Sequence, residues 1–276
     1  MTPAVAERVA ARLGDVAGIV AVALGGSRAR GDAQPDSDVD LGLYYAAAAA
    51  LDVAALRALA IALDERHALL AVTAIGEWGP WINGGAWLTI DGQRIDWLYR
   101  DLGQVAVAID ECRAGRSRCY YQIGHPHGFH THVYAAETYY CRPLHDRWGR
   151  LAALKAAATP YPPALRRQLV DEFLFEAGFA LETSRKSAAR GDVFHVTGNL
   201  FRAAAALVQV LYALNERYWM NEKGAVAAVD AFPRRPPAFA ATVTAVLANP
   251  GATPGALGAS LDRLAALVDA VRELAR

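Results

Sequence analysis

The stretch from Leu24 to Tyr45, LGGSRARGDAQPDSDVDLGLYY, constrains this chain more than any other. It opens on Gly25-Gly26-Ser27, and after a gap of ten residues it reaches Asp38-Val39-Asp40 and an apolar run. Ahead of it, Gly18 to Leu24 (GIVAVAL) reads as a short buried strand. Asp38 to Tyr45 reads as a second strand. Alternate residues of a strand share a face, so Asp38 and Asp40 project together. At roughly 4 Å and an effective dielectric near 20, two such carboxylates repel by about 4 kcal/mol. A divalent cation removes that penalty, and Mg²⁺ is usually held by one or two carboxylates plus substrate phosphates. Gly25 and Gly26 let the backbone approach a ligand closely. Ser27 suits the N-cap of a short helix over Arg28 to Gly31, whose exposed N–H groups would favour an anion.

Gly26-Ser27, the ten-residue gap and Asp38-Val39-Asp40 together resemble the signature of the nucleotidyltransferase superfamily, which includes DNA polymerase beta and the aminoglycoside nucleotidyltransferases. The resemblance implies that Asp38 and Asp40 hold two Mg²⁺ ions. It implies that Gly26 and Ser27 hold the leaving pyrophosphate of a nucleoside triphosphate. Arg28 and Arg30 lie beside that loop, and either could neutralise the triphosphate. The superfamily carries a third acid on a neighbouring strand, and Asp96 in Arg94-Ile95-Asp96-Trp97-Leu98 matches it. A lone carboxylate in an apolar strand is costly unless paired or metal-bound. By the resemblance Asp96 is a third metal ligand or the general base for an attacking hydroxyl. An ion pair with Arg94 on the same strand face is the structural alternative.

The chain has 276 residues, room for one large domain or two ordinary ones, and 54% hydrophobic residues, enough for a substantial core. Lys+Arg and Asp+Glu both total 28, which argues against a broad electrostatic footprint for nucleic acid. Cys112, Cys119 and Cys141 are odd in number and lack CxxC spacing, so they read as free thiols in a reducing compartment. The N-terminus is amphipathic and charged, unlike a secretory signal, and no apolar run reads as membrane-spanning. The expected location is the cytoplasm.

Taken in order, the pattern gives a helix from Thr2, as cap, to about Leu13, then the two strands. A helix follows over Leu51–His67, within an alanine-rich stretch that starts at Ala46. Leu69–Ile75 reads as a strand and Glu77–Gly85 as an aromatic-rich loop. Ala86–Ile90 and Gln93–Arg100 form a hairpin across Asp91-Gly92. Asp101–Arg113 reads as a helix. The block from Cys119 to Asp146 contains His125, His127, His130 and His132, whose spacing invites a zinc reading. Its Gly and Pro residues favour a loop instead. Gly-His-Pro and Arg-Pro-Leu-His-Asp in this block resemble phrases in bacterial nucleotidyltransferase-domain proteins with a helical C-terminal domain. His132–Tyr140 alternates as a strand would and carries Glu137, an acid/base candidate or an exposed carboxylate. Beyond Asp146 the period becomes helical: Trp148–Ala158, Ala164–Ala189, Asp192–Tyr218, Lys223–Ala231, Pro236–Ala248 and Pro254–Arg276.

The expectation is an α/β (α+β) protein with a mixed-sheet nucleotidyltransferase domain over 1–146 and an all-α bundle over 147–276 that recognises substrate. Glu172 and Glu176 lie four apart on one helix face, as candidates for a cationic acceptor or as a solvated pair. Asn215 to Lys223 resembles a polar region of the helical domain in similar enzymes, where Lys223 would contact the triphosphate. Arg190-Gly-Asp-Val-Phe-His195 has the arginine–histidine spacing of helical nucleases that partner nucleotidyltransferases. Its place at a helix start favours a structural role. The activity implied is transfer of AMP from ATP, or of another nucleoside monophosphate, to a hydroxyl of a small molecule. Aminoglycoside-like antibiotics are the acceptor class the resemblance suggests, hence antibiotic resistance. Nucleic acid and membrane are not expected partners, and an exposed apolar helix face would support a homodimer. The alternatives are transfer to a protein or RNA, as in toxin–antitoxin systems, and a nucleotide-binding module without turnover.

Overall fold

A computed structural model describes residues 3–46, 51–66 and 72–276. The chain divides into two compact units, one of Met1–Cys112, Arg118–Gly124 and Gly128–Pro160, the other of Arg113–Ser117, His125–His127 and Tyr161–Arg276. In chain order the first unit builds α1 (Ala4–Gly14), β1 (Ile19–Leu24), α2 (Gly26–Arg30), β2 (Val39–Tyr45), α3 (Val53–Leu63), β3 (Gly85–Ile90) and β4 (Gln93–Asp101). It continues through α4 (Leu102–Arg113), β5 (Cys119–Tyr120), β6 (Phe129–His130), α5 (His132–Tyr140), β7 (Arg142–Asp146) and α6 (Arg150–Ala157).

Five strands form one sheet in the order β3-β4-β2-β1-β7. β2 and β4 run parallel, while β3 with β4, β1 with β2 and β1 with β7 run antiparallel, so the sheet is mixed. The turn between β3 and β4 places Asp91 at φ 52° and Gly92 at φ 69°. Two successive positive φ values are what a type I′ hairpin turn requires. Period-two burial sorts the two faces. Val39, Leu41 and Leu43 of β2 and Ile95, Trp97 and Tyr99 of β4 are buried with Val5, Val9 and Leu13 of α1 and Leu56 and Leu59 of α3. The intervening positions Asp40, Asp96 and Leu98 face the other way and are half-buried. That second face carries the chemistry.

Several expectations change here. His132–Tyr140 is helix α5, not a strand, because His132 to Ala136 and Thr138 are all buried. A segment enclosed on nearly every side has no polar face to display, so its apparent alternation carried no strand signal. The outer place beside β1 goes instead to Arg142–Asp146. α2 begins at Gly26 with Gly25 in the cap position, so Ser27 sits in its first turn and is not the cap. Pro3 occupies the cap position of α1, and Thr2 lies outside the described residues. Of the strand expected over 69–75, Val72 makes an isolated bridge to Ala86, and residues 69–71 lie outside the described ones. The same holds for 47–50 of the alanine-rich stretch and for His67 at the expected helix end.

The second unit is helical: α7 (Pro163–Ala189), α8 (Val193–Leu214), α9 (Ala225–Val229), α10 (Phe239–Ala248) and α11 (Pro254–Ala275). α7 and α8 pack along one another and α11 packs against both. Leu165, Leu169 and Phe173, Leu200, Leu207 and Leu211, and Leu257, Leu261 and Leu264 fill the core. Asp192 caps α8 as expected, its Oδ1 accepting from the His195 N–H at 3.1 Å. By length and composition alone α8 would pass as long and apolar enough to cross a membrane, but 61% of its most apolar stretch is buried inside the protein.

Candidate active site

Strand register assembles the site. Asp40 on β2 is the direct neighbour of Asp96 on β4, and Val39 and Ile95 pair one step earlier. Neighbours in register share a face, so the two carboxylates stand side by side on the half-open face. Asp38 immediately precedes β2. Its carboxylate pairs with Arg94, two residues before Asp96, with Nε to Oδ1 at 2.5 Å. Sequence reasoning paired Arg94 with Asp96, but parallel register sets Arg94 across from Asp38.

The glycine loop closes on Asp40 from the β1 side. The Gly25 N–H donates to the Asp40 carbonyl oxygen at 2.8 Å, which carries the β1–β2 pairing one residue further. Gly26 then turns at φ +59°, and a Cβ built there would lie 1.8 Å from Asp40 Oδ2. Only glycine fits that contact, so the space beside the carboxylate is reserved. Arg28 is spent on the loop itself: Nε donates to the Asp38 carbonyl at 3.1 Å and Nη2 to the Ser37 carbonyl at 2.6 Å. It therefore fixes the approach to Asp38. Arg30 pairs with Asp32 at 3.1 Å. Ser27 and Arg28 are half-buried.

Further along the same face the polar groups are closed off. Arg100, two turns of the pleat beyond Asp96, is buried and held by Glu137 of α5 through two bonds of 2.6 Å each. Burial alone would discourage its charge, but the Glu137 carboxylate more than offsets this and raises the guanidinium pKa above its ordinary value. Buried Tyr44 beside it is pushed well above the tyrosine range, chiefly by burial and then by the charges of Cys141 and Glu137. Glu137 thus corrects the reading as an exposed strand carboxylate or acid/base group. It is a structural anchor, and its partner on a strand 37 residues away left no local signal.

The second unit's candidates are largely committed to one another. Glu176 accepts from Arg202 Nε at 2.8 Å and lies 3.0 Å from His127 Nε2. The His127 backbone N–H donates to Glu222 at 2.8 Å, and Glu216 pairs with Arg166 at 2.9 Å. Glu172 is bonded by Gln168, and its carboxyl is raised above the usual range by burial, with Glu176 adding to the rise. Glu172 remains exposed, whereas Glu176 is half-buried between Arg202 and His127. The His130 and His132 rings stack at 5.5 Å. Among the described residues no group of three or more His, Cys, Asp or Glu side chains is gathered to hold a metal ion. Neither the histidine block nor Asp38, Asp40 and Asp96 forms such a group. Arg190 ends α7, and His195 lies 3.3 Å from Asn199 through its Nε2, one turn into α8. Lys223 belongs to the second unit, exposed, with its N–H held by Asn221 Oδ1 at 3.0 Å.

A mixed sheet with a glycine loop locked against one of two adjacent strand carboxylates is the arrangement that the sequence resemblance leads one to expect. Residues 5–75 match the family model described as a nucleotidyltransferase domain, and this part of the chain is such a domain. The match includes Gly26, Ser27, Asp38 and Asp40. Asp96 lies beyond it and joins the site by strand register alone. Residues 135–223 match a second model, described as a domain of unknown function, DUF4037. Among solved structures, the chain is similar to a nucleotidyltransferase-like protein from Exiguobacterium sibiricum at 10% identity and TM-score 0.45, covering 94% of this chain and 72% of that one. No curated protein matches the chain. Nucleotidyl transfer is the reaction class that belongs to such a domain.

Proposed function

We propose that the protein transfers AMP from ATP, with Mg²⁺, to a hydroxyl of a small molecule, with aminoglycoside-like antibiotics as the acceptor class suggested by the superfamily. The single observation that carries this is the in-register pair Asp40–Asp96 with Gly26 pressed against the Asp40 carboxylate. The donor set is all carboxylate oxygen, which suits a hard cation that takes one or two carboxylates and completes its shell from substrate phosphates. Asp40 and Asp96 would hold it, joined by Asp38 once Arg94 releases that carboxylate. The cation then supplies charge neutralisation at the attacking and leaving oxygens of an in-line displacement.

The chain's own groups do the rest. Gly26 lets the loop backbone close on Asp40, and Ser27 offers its hydroxyl to the leaving pyrophosphate. Arg28 holds the Ser37–Asp38 backbone, which sets where Asp38 begins. Asp96, on the side of Asp40 away from the loop, is placed to accept the proton of the attacking hydroxyl or to serve as a ligand. This proposal rests on the first unit alone.

The test is incubation with α-labelled ATP and a panel of hydroxyl acceptors, with label transfer and pyrophosphate release as readouts. The expected result is Mg²⁺-dependent transfer that is lost in Asp40→Asn with the fold intact. Label appearing on protein or RNA, and on no small molecule, would overturn the acceptor assignment.

A further inference from the structure

The sheet extends the catalytic row by one more residue. Trp87 on β3 pairs directly with Asp96 on β4, which pairs directly with Asp40 on β2. All three side chains therefore stand on one face in a line across the strands. Adjacent strands lie about 4.8 Å apart, so the indole begins one strand spacing from Asp96. Its side chain is no part of the core: Trp87 is 59% exposed, although its neighbours Ala86 and Leu88 are buried. Trp78 stacks on it with ring centroids 4.5 Å apart and 20° between planes.

The pair is held in place from behind. Buried Gln122 donates through Nε2 to the Trp78 carbonyl at 2.7 Å and accepts from the Ile82 N–H at 3.4 Å. Arg66 Nη2 donates to the Trp87 carbonyl at 2.5 Å. A large aromatic surface left in water beside two carboxylates, with its backbone pinned, is organised for a ring that arrives from outside.

The order across the sheet says which substrate that ring belongs to. On the reading of the previous subsection, pyrophosphate leaves on the Gly26–Ser27 side, next to β1. In-line displacement puts the attacking group on the opposite side, past Asp96. That side is Trp87. We infer that Trp87, backed by Trp78, is the acceptor platform, and that the acceptor carries a flat ring next to its hydroxyl. Arg66 and Arg94 border the platform, each paired with a carboxylate, Asp64 and Asp38.

The experiment is a ligand-observed NMR titration with 4-nitrophenyl glucoside, a ring next to hydroxyls, and with methyl glucoside, which has the hydroxyls without the aryl ring. The proteins are wild type, Trp87→Ser and Trp87→Phe, each also titrated with a non-hydrolysable ATP analogue and Mg²⁺. The expected result is saturable binding of the nitrophenyl compound that exceeds the methyl one. Trp87→Ser weakens it at least about fivefold. Trp87→Phe restores most of it, and the nucleotide affinity stays unchanged. Equal binding in wild type and Trp87→Ser, or none in wild type, overturns the platform. Loss of the ATP analogue in Trp87→Ser assigns the indole to the nucleobase and overturns the acceptor assignment. Failure of the analogue to bind wild type defeats the nucleotidyl-transfer reading separately, because the glucoside titration does not depend on it.

Discussion

Strand β4 carries two arginines on one face, and they are used in opposite ways. Arg100 is 3% exposed in its side chain and held by both oxygens of Glu137. Arg94, three pleats earlier, is 66% exposed, pairs with Asp38 and donates to the Asp36 carbonyl at 3.2 Å. Between them lies Asp96. α5 covers one end of this face and leaves the other open. The covered end trades charge for rigidity, since a buried pair holds two elements in one geometry and fails badly if either partner goes. The open end keeps its carboxylates accessible to a cation and a substrate, and its ion pair can be given up at little cost.

Breaking each end should therefore give different losses. Asp96→Asn, at the boundary of the open end, is expected to lower turnover by roughly 10²–10⁴-fold, the span of a lost general base. Its thermal midpoint should move little, which calorimetric melting checks. Glu137→Gln is the converse. It strands a buried guanidinium and should cost about 3–5 kcal/mol of stability, read from urea unfolding. A cost below about 1 kcal/mol would remove the distinction between the ends.

Gly26→Ala comes next. The left-handed backbone alone costs about 1–2 kcal/mol, and the new methyl displaces the Asp40 carboxylate, so nucleotide affinity should fall further than stability. Arg94→Gln should change stability by less than about 1 kcal/mol. The smallest effect concerns the thiols. Burial raises Cys112 to about 12 and Cys141 to about 11, while Cys119 is exposed. Above the ordinary thiol range the unfolded chain ionises these two groups and the folded chain does not. Their contribution is complete at lower pH and is lost as pH rises through the folded values. Iodoacetamide at mildly alkaline pH should label Cys119 in the folded protein and all three after denaturation.

The open end was largely legible in the sequence. Gly26, Ser27, Asp38 and Asp40 sit within one local stretch, and Asp91-Gly92 announces the hairpin that brings Asp96 back. What was hidden depends on register between distant segments. Arg94 facing Asp38, Trp87 facing Asp96 and Arg100 meeting Glu137 are all cross-element pairings that no window of neighbouring residues encodes. The α5 segment misled for a related reason. Enclosure came from the surrounding tertiary packing, so its pattern could be read as alternation although it forms a helix. The helical unit was legible in its elements, with α7 and α11 close to their expected bounds. The engagement of Glu176 with Arg202 and His127 was not, because those partners come from other segments of that unit.

The most direct test is calorimetric binding of a non-hydrolysable ATP analogue to wild type and Asp40→Asn, with and without Mg²⁺. The account predicts binding that requires Mg²⁺ and collapses in the variant while its unfolding transition is kept. Tight binding without Mg²⁺, or equal binding by Asp40→Asn, would contradict it, because the carboxylate row beside Gly26 would then not be what holds the nucleotide.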